Sequence, residues 1–172
     1  MVLILESLTR PCSRGKLIAT EEDLALSKAA AHLFESAGHS HIRQFMEGAR
    51  FMHHHLVAHL DRKPDNVVVR APTRLCVIDF NVAVQVPRLE SRIKVYNGTG
   101  GWVAPEVERN PDAGYHPILA VLWPTGKMMQ YFADRQPANL SEMESHADQL
   151  QSPEPQQCPL LSTISLDTLF KQ

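Results

Sequence analysis

A short polar segment at 59–66, followed at once by three valines, constrains the fold of this chain more than any other feature. The segment reads His-Leu-Asp-Arg-Lys-Pro-Asp-Asn, and the valines after it predict a β-strand. A second apolar run at 75–78 follows a short connection that contains a proline, and this arrangement predicts a β-hairpin. Asp79 begins a second polar turn directly after that run. The hairpin is therefore expected to bring Asp61, Asn66 and Asp79 to one end of a small sheet, with their side-chain oxygens facing one cleft.

The residue types at this end of the hairpin indicate magnesium and phosphate chemistry. Carboxylate and carboxamide oxygens are ligands that Mg²⁺ prefers in proteins, and Asp61, Asn66 and Asp79 supply them. Lys63 adds a positive charge close to these oxygens, which suits a phosphorylated substrate. The alternative is that these polar residues only cap a hairpin. That alternative requires two carboxylates, a lysine and an asparagine to fall into register by chance, so the functional interpretation is favoured.

Three motifs of the chain resemble those of the protein kinase family, in the same order and with similar spacing. Residues 59–66 resemble the catalytic loop of that family, and Asp-Phe-Asn at 79–81 resembles its magnesium-binding Asp-Phe-Gly motif. Ala-Pro-Glu at 104–106 resembles the motif that closes the activation segment. Lys63, together with Thr99 in the sequence Gly-Thr-Gly-Gly-Trp, is similar to the serine/threonine branch rather than the tyrosine branch.

The resemblance implies a function, which is the ATP- and magnesium-dependent transfer of phosphate to a serine or threonine hydroxyl of a protein substrate. Asp61 would orient the substrate hydroxyl and accept its proton, and Lys63 would neutralise the γ-phosphate during transfer. Asn66 and Asp79 would hold magnesium and so contribute to ATP binding. Thr99 is expected to lie where the substrate hydroxyl approaches Asp61.

The resemblance extends over residues 1–161 but covers only the C-terminal lobe of a kinase. The predicted fold is therefore α+β and mainly α: a kinase-like C-terminal lobe with a small β-hairpin and without an N-terminal lobe. The apolar run at 2–5 would be the hinge strand, and Glu6 would enter the hinge that binds the adenine of ATP. Residues 162–172 are expected to form a C-terminal tail.

The half of a kinase site that covers the phosphates is not recognisable before the polar segment. No Gly-x-Gly-x-x-Gly sequence occurs there, and Lys16 and Lys28 do not lie in a strand of the Val-Ala-x-Lys type. The resemblance therefore predicts a chain that is inactive or weak by itself and that binds nucleotide weakly. An incomplete gene model is a further explanation. An uncovered hinge strand would also expose an apolar patch and favour self-association.

Four positions depart from the kinase pattern. Leu60 replaces an arginine that can bind an activation-loop phosphate, and Val121 replaces an acidic residue that would hold the catalytic loop. Cys158 stands where an arginine would pair with Glu106, which predicts an unpaired buried carboxylate. Asn81 for glycine is milder, because asparagine tolerates a left-handed backbone. These losses support an alternative function, a non-catalytic pseudokinase fragment that binds a protein partner through its exposed hinge face.

The histidine-rich stretch at 53–59 suggests a zinc site, but the spacing does not favour one. Consecutive histidines on a helix point about 100° apart, so the three at 53–55 cannot share a metal ion from one face. His55 and His59 are four residues apart, but no acidic partner completes the pattern of a zinc protease. These histidines are instead expected to be solvated or to have hydrogen-bond partners in the core.

Composition narrows the class of protein further. The chain has 172 residues, a length typical of one domain, and its net charge of −2 gives no electrostatic argument for nucleic acid or membrane partners. Three widely spaced cysteines favour a reducing compartment over a disulfide framework. No signal-peptide core or membrane-spanning run is recognisable, so we expect an intracellular protein, cytoplasmic or nuclear.

Overall fold

The structure is a computed structural model, and it describes residues 39–71, 74–109, 111–136 and 140–169. Glu6, the hinge strand predicted before it and the hinge face predicted to bind a partner lie outside the described residues. The expectations about them therefore stay predictions.

The described residues form six helices, four short strands and four 3-10 helices. The helices are α1 (39–54), α2 (Pro105–Arg109), α3 (Pro117–Ala120), α4 (Leu122–Ala133), α5 (Ser141–Leu150) and α6 (Leu166–Leu169). The strands are β1 (Val57–Ala58), β2 (Val67–Ala71), β3 (Arg74–Val77) and β4 (Val84–Gln85). The 3-10 helices are Pro64–Asn66, Pro111–Ala113, Pro155–Gln157 and Leu161–Thr163. No helix in this described part of the chain is long and apolar enough to cross a membrane.

The predicted small antiparallel hairpin is present and positions the polar segment. β2 and β3 pair antiparallel, with Val67 opposite Val77. The N–H of Ile78 donates to the carbonyl oxygen of Asn66 (2.9 Å), which extends the pairing beyond the two strands. Asp79 therefore follows β3 at the same end of the hairpin at which the polar segment enters β2.

A second pair of strands, which the sequence did not predict, joins two distant parts of the chain. Val57 of β1 lies opposite Gln85 of β4, and Ala58 lies opposite Val84. Each strand has only two residues, too few for an alternating pattern to identify. This pairing fixes the start of the polar segment, just as the hairpin fixes its end.

The main core lies between α1, the hairpin, α4 and α5. The apolar residues of α1 recur at helical spacing, and four of them are buried in this core: Ile42, Phe45, Met46 and Ala49. The Phe45 ring meets the Phe132 ring of α4 edge-on, with centroids 5.3 Å apart. Burying one such large side chain contributes about 1.5–3 kcal/mol to the stability of the fold. The C-terminal residues continue the same core with Leu161, Ile164, Leu166 and Leu169.

The segment that begins at Pro117 forms two helices rather than one continuous helix. α3 ends at Ala120 and α4 begins at Leu122, with Val121 between them. Pro124 explains this break, because proline has no N–H for the carbonyl of residue 120 and its ring would clash with that carbonyl. In the first turn of α4 the proline is tolerated, since an N–H there would have no helical partner.

A second apolar cluster joins the polar segment to α2 and α3. Leu60 packs in this cluster with Val103, Val107, Ile118 and Val121. The φ of Leu60 is +64°, a conformation that is costly for a bulky residue and persists only when its surroundings fix it. Leu60 and Val121, two of the departures from the kinase pattern that remove charge, therefore share one apolar environment.

Candidate active site

The Asp61 carboxylate lies at the centre of a hydrogen-bond network. Thr99 Oγ1 donates to Asp61 Oδ1 (2.7 Å), and Asn66 Nδ2 donates to Asp61 Oδ2 (2.9 Å). Asn66 Nδ2 also donates to the backbone oxygen of Asp61 (2.7 Å), so one asparagine holds both the main chain and the side chain. Lys63 Nζ lies 3.1 Å from Asp61 Oδ2. The network fixes the orientation of both carboxylate oxygens.

The Thr99 hydroxyl sits between an ammonium group and a carboxylate. Lys63 Nζ donates to Thr99 Oγ1 (2.6 Å), and the same hydroxyl donates to Asp61 Oδ1. The structure thus places Thr99 in direct contact with Asp61, although 38 residues separate them along the chain. A hydroxyl held in this way shows that the site can orient an alcohol and accept a hydrogen bond from it.

The surroundings of Asp61 keep it ionised. Burial by itself would raise the pKa of this carboxyl group, because it disfavours the charged form. The hydrogen bonds from Thr99, Lys63 and Asn66, together with the charge of Lys63, outweigh burial and hold the pKa below its ordinary value. Asp61 is therefore a hydrogen-bond acceptor at neutral pH.

Gly98 allows the segment that carries Thr99 to approach the polar segment closely. Its φ is +114°, and a Cβ atom there would lie 2.4 Å from Val103 Cγ1 and 2.6 Å from the Leu60 backbone oxygen. Neither distance is possible for a real side chain, so the position requires glycine. The close approach of the Gly98 backbone to Leu60 brings Thr99, the next residue, within hydrogen-bonding distance of Asp61.

His59 ties the polar segment to the turn after β3. Its Nε2 lies 2.9 Å from the carbonyl oxygen of Ile78, and its Nδ1 lies 3.3 Å from the backbone nitrogen of Asp61. The carbonyl can only accept and the backbone N–H can only donate, so we assign the proton to Nε2. Burial, with the nearby charge of Arg62 as a second cause, lowers the pKa of His59 to about 4. The ring also meets Phe80 edge-on, with centroids 4.6 Å apart.

Asp79 follows β3 in a left-handed backbone conformation. Its φ is +61°, which aspartate adopts more readily than most residues. Its Oδ1 accepts a hydrogen bond from Asn81 Nδ2 (2.6 Å), so the residue that replaces glycine in the motif orients the carboxylate. The hairpin register places Asp79 at the same end of the sheet as Asn66.

The donor set at this end of the sheet fits magnesium better than zinc. Asn66 uses its amide nitrogen for both bonds to Asp61, which leaves the oxygen of the carboxamide as a possible metal ligand. With Asp79 this gives two oxygen-bearing side chains, the number that Mg²⁺ commonly takes from protein when phosphates and waters complete its shell. In the described part of the chain, no group of three histidine, cysteine, aspartate or glutamate side chains could hold a metal ion.

Arg62 is a residue whose importance the sequence analysis missed. Its side chain is buried, with 1% of its surface exposed, and Nη1 donates to Thr125 Oγ1 (2.5 Å) and to the Val121 carbonyl oxygen (3.3 Å). Thr125 Oγ1 in turn donates to the same carbonyl (2.6 Å). Nε and Nη2 of Arg62 have no hydrogen-bond partner among the described residues. Burial lowers the pKa of Arg62 to about 10. An arginine between Asp61 and Lys63 was the sequence signal, but nothing local shows that it points inward.

Glu106 lies near Cys158 but is only partly buried, whereas the sequence predicted a buried carboxylate. Burial raises the pKa of Glu106, with Glu154 adding to the effect and Arg109 opposing it. Burial also raises the pKa of the Cys158 thiol, and the charge of Glu106 contributes, so the two side chains are close enough to interact. The thiol donates to the carbonyl oxygen of Leu150 (3.4 Å).

Comparison with known proteins identifies the family that this site resembles. A family model described as protein kinase domain matches residues 12–165. The chain is also similar to misshapen-like kinase 1 of Rattus norvegicus, with 37% identity over 76 residues. It is 31% identical over 100 residues to serine/threonine-protein kinase SMU1 of Mycosarcoma maydis, and 31% identical over 108 residues to the human Nik-related protein kinase.

These matches cover about half of this chain but a small part of each relative. The aligned residues are 42%, 58% and 60% of this chain, and 6%, 13% and 7% of the three relatives in the same order. The comparison thus concerns one domain of much longer proteins.

Proposed function

Because the chain belongs to the protein kinase family, we propose that the polar segment, Asp79 and Thr99 form the acceptor and metal side of a serine/threonine phosphotransfer site. The substrates of such a site are ATP with magnesium and a protein hydroxyl. Residues 1–161 would be the kinase-like domain and 162–172 its tail.

The observation that carries this proposal is the Thr99 hydroxyl between Lys63 and Asp61. A general base must come within about 2.6–3.2 Å of the atom that carries the proton it accepts, and Asp61 Oδ1 lies 2.7 Å from Thr99 Oγ1. A substrate hydroxyl that took the same place would be oriented by Asp61 and would transfer its proton there as phosphorus is attacked. Lys63 Nζ, 2.6 Å from Thr99 Oγ1, would lie beside the phosphoryl group and stabilise its charge.

Asn66 and Asp79 are the residues that would hold magnesium. Magnesium held there would supply electrostatic stabilisation of the charge that develops during transfer. Asn66 would serve two purposes in this proposal, since its amide nitrogen holds Asp61 and its oxygen would be available to hold the metal. Asn81 would keep the Asp79 carboxylate in position through its 2.6 Å hydrogen bond.

We expect the 172-residue chain by itself to transfer phosphate slowly at most. Phosphoryl transfer depends on positioning and on charge stabilisation around the phosphates, and a lost contact of this kind costs about 10²-fold or more. The sequence has no Gly-x-Gly-x-x-Gly segment to cover the phosphates. Leu60 also removes the arginine that could respond to phosphorylation of the activation segment.

Radiolabelled ATP tests the proposal with the purified chain, magnesium and matched serine, threonine and tyrosine peptides. The control is Asp61→Asn, which keeps the size of the side chain and removes its charge. We expect slow incorporation into serine and threonine peptides only, reduced to background in the control. Incorporation into tyrosine, or incorporation that survives in Asp61→Asn, would contradict the proposed role of the site.

The second candidate function is the non-catalytic pseudokinase fragment that binds a protein partner. It is favoured by the apolar cluster of Leu60 and Val121, where the kinase pattern has charged side chains. This function predicts that incorporation stays at background level in both the chain and the control. It also predicts that a binding measurement shows no magnesium-dependent binding of nucleotide.

A further inference from the structure

We propose that Glu108 and Lys127 are positioning residues that hold the turn at 98–102, so that the Thr99 hydroxyl rests between Asp61 and Lys63. This inference rests on the proposed function only in taking Asp61 as the carboxylate of the acceptor site. Neither residue touches Asp61, and both act through the backbone of the turn.

Both side chains bind the backbone of Gly101, one at its N–H group and the other at its carbonyl oxygen. Glu108 Oε1 accepts a hydrogen bond from the backbone N–H of Gly101 (3.1 Å). Lys127 Nζ donates to the backbone oxygen of Gly101. The φ of Gly101 is +76°, a left-handed conformation that glycine adopts without strain. A charged acceptor and a charged donor thus hold both hydrogen-bonding groups of one residue, and such bonds are stronger than neutral ones.

The two side chains belong to different helices, so two separate elements of the fold hold the turn. Glu108 lies in α2 and Lys127 lies in α4. The ammonium of Lys127 also lies 5.2 Å from the ring centroid of Trp102, a cation–π contact that holds the next residue of the turn. Trp102 packs partly buried against the main core.

The contacts at Gly101 and Trp102 also restrain Thr99, because the backbone of the turn is hydrogen-bonded to itself. The N–H of Trp102 donates to the carbonyl oxygen of Thr99 (2.9 Å), which closes the turn. Gly98 holds the other end against the Leu60 backbone. Thr99 is therefore restrained on both sides, and its hydroxyl can stay on Asp61 although Gly100 and Gly101 are exposed.

The pKa of Asp61, measured by NMR of its ¹³C-labelled carboxyl group, reports the Thr99 contact without any need for catalysis. The hydrogen bond from Thr99 is one of the effects that keep this pKa low. Glu108→Ala removes the acceptor for Gly101, so the turn should loosen and the Asp61 pKa should rise. Glu108→Gln keeps an acceptor oxygen and should leave the pKa close to that of the unmodified chain.

The direction of the shift separates this mechanism from simple electrostatics. Both variants remove one negative charge, and loss of a nearby negative charge by itself would lower the pKa of Asp61. A rise in Glu108→Ala that is absent in Glu108→Gln therefore reports the lost hydrogen bond. Lys127→Met should raise the pKa as well, and Lys127→Arg, which keeps both a donor and the charge, should leave it unchanged. Loss of a positive charge would by itself raise the pKa, so the Glu108 variants decide between the two explanations.

Thr99→Val completes the test as a double-mutant cycle. It removes the hydroxyl and should raise the Asp61 pKa, and Glu108→Ala should then produce no further rise. Thermal unfolding of each variant accompanies the titration, because Glu108 is exposed and its loss should change stability little. The proposal is wrong if Glu108→Ala leaves or lowers the pKa, or if its effect persists unchanged in the Thr99→Val background. Failure of the chain to transfer phosphate would count against the proposed function but would not affect this result.

Discussion

Replacement of Arg62 by methionine should stabilise the protein. Arg62 is buried and has no acidic partner within salt-bridge distance among the described residues, so its charge lies uncompensated beneath the polar segment. Burial lowers its pKa to about 10, well below the ordinary value for arginine. A shift of this size corresponds to about 3 kcal/mol of unfavourable free energy in the charged form. Nε and Nη2, which have no hydrogen-bond partner among those residues, add to that cost.

The losses on substitution are smaller than this gain. Arg62→Met removes the two hydrogen bonds to Thr125 and Val121, each worth about 1 kcal/mol. Thr125 Oγ1 still donates to the Val121 carbonyl oxygen (2.6 Å), so no acceptor is left without a partner. Methionine fits irregular core space and buries apolar surface in place of the guanidinium. We expect a net gain of about 1–3 kcal/mol in the free energy of unfolding.

Urea unfolding at pH 7 and thermal unfolding measure the effect, with each kcal/mol raising Tm by about 2–4 °C in a protein of this size. Arg62→Lys is the first control, because it keeps a buried charge and should not stabilise the protein. Arg74→Met is the second, because Arg74 is exposed and its loss should change stability by no more than about 0.5 kcal/mol. An NMR titration should also show a higher His59 pKa in Arg62→Met, since the charge of Arg62 contributes to lowering it. A destabilised Arg62→Met protein, or an equal gain in Arg62→Lys, would refute this reasoning.

Three further predictions concern pH and backbone geometry. The pKa values of His53 and His59 are about 4 in the folded state and 6.5 in the unfolded state, so the unfolded state binds more protons between these values. Stability should therefore fall by about 3 kcal/mol per histidine as the pH falls from 6.5 to 4, and urea unfolding of His53→Gln should show about half the decline. Gly98→Ala should destabilise the fold by more than about 1 kcal/mol, whereas Gly100→Ala, with open space around it, should stay within about 0.5 kcal/mol in the same assay. Glu106→Gln should stabilise the protein at pH 7, because the folded-state pKa of Glu106 is raised and stability is lost as pH rises through it; an unchanged or lower Tm would contradict this.

The hairpin could be predicted because its information is local. Consecutive valines, an apolar run and a short proline-containing connection set the strand pairing without reference to the rest of the chain. The same holds for α1, whose buried face follows from the helical spacing of Ile42, Phe45 and Met46. Pro124 is a local signal for a helix break, but the proline alone does not show that the first helix ends at Ala120.

The inward direction of Arg62 and the β1–β4 pairing depend on tertiary packing, so the sequence could not predict them. Arg62 and Leu60 both flank Asp61, and only their backbone geometry decides which side chain enters which cluster. The φ of +64° at Leu60 turns it toward Val121, while Arg62 points toward Thr125. The anchoring of Gly101 by α2 and α4 likewise joins segments whose contact no local pattern encodes.

Magnesium-dependent nucleotide binding tests the central claim most directly, because it asks whether Asn66 and Asp79 form a metal site for ATP. Calorimetric titration of the chain with ATP in magnesium, and again in EDTA, should show binding that is weaker by about tenfold or more without the metal. Asp79→Asn should abolish the difference, whereas Asp65→Asn, which removes the same charge from an exposed position of the polar segment, should preserve it. Equal binding with and without magnesium, or a magnesium effect that survives in Asp79→Asn, would contradict the account.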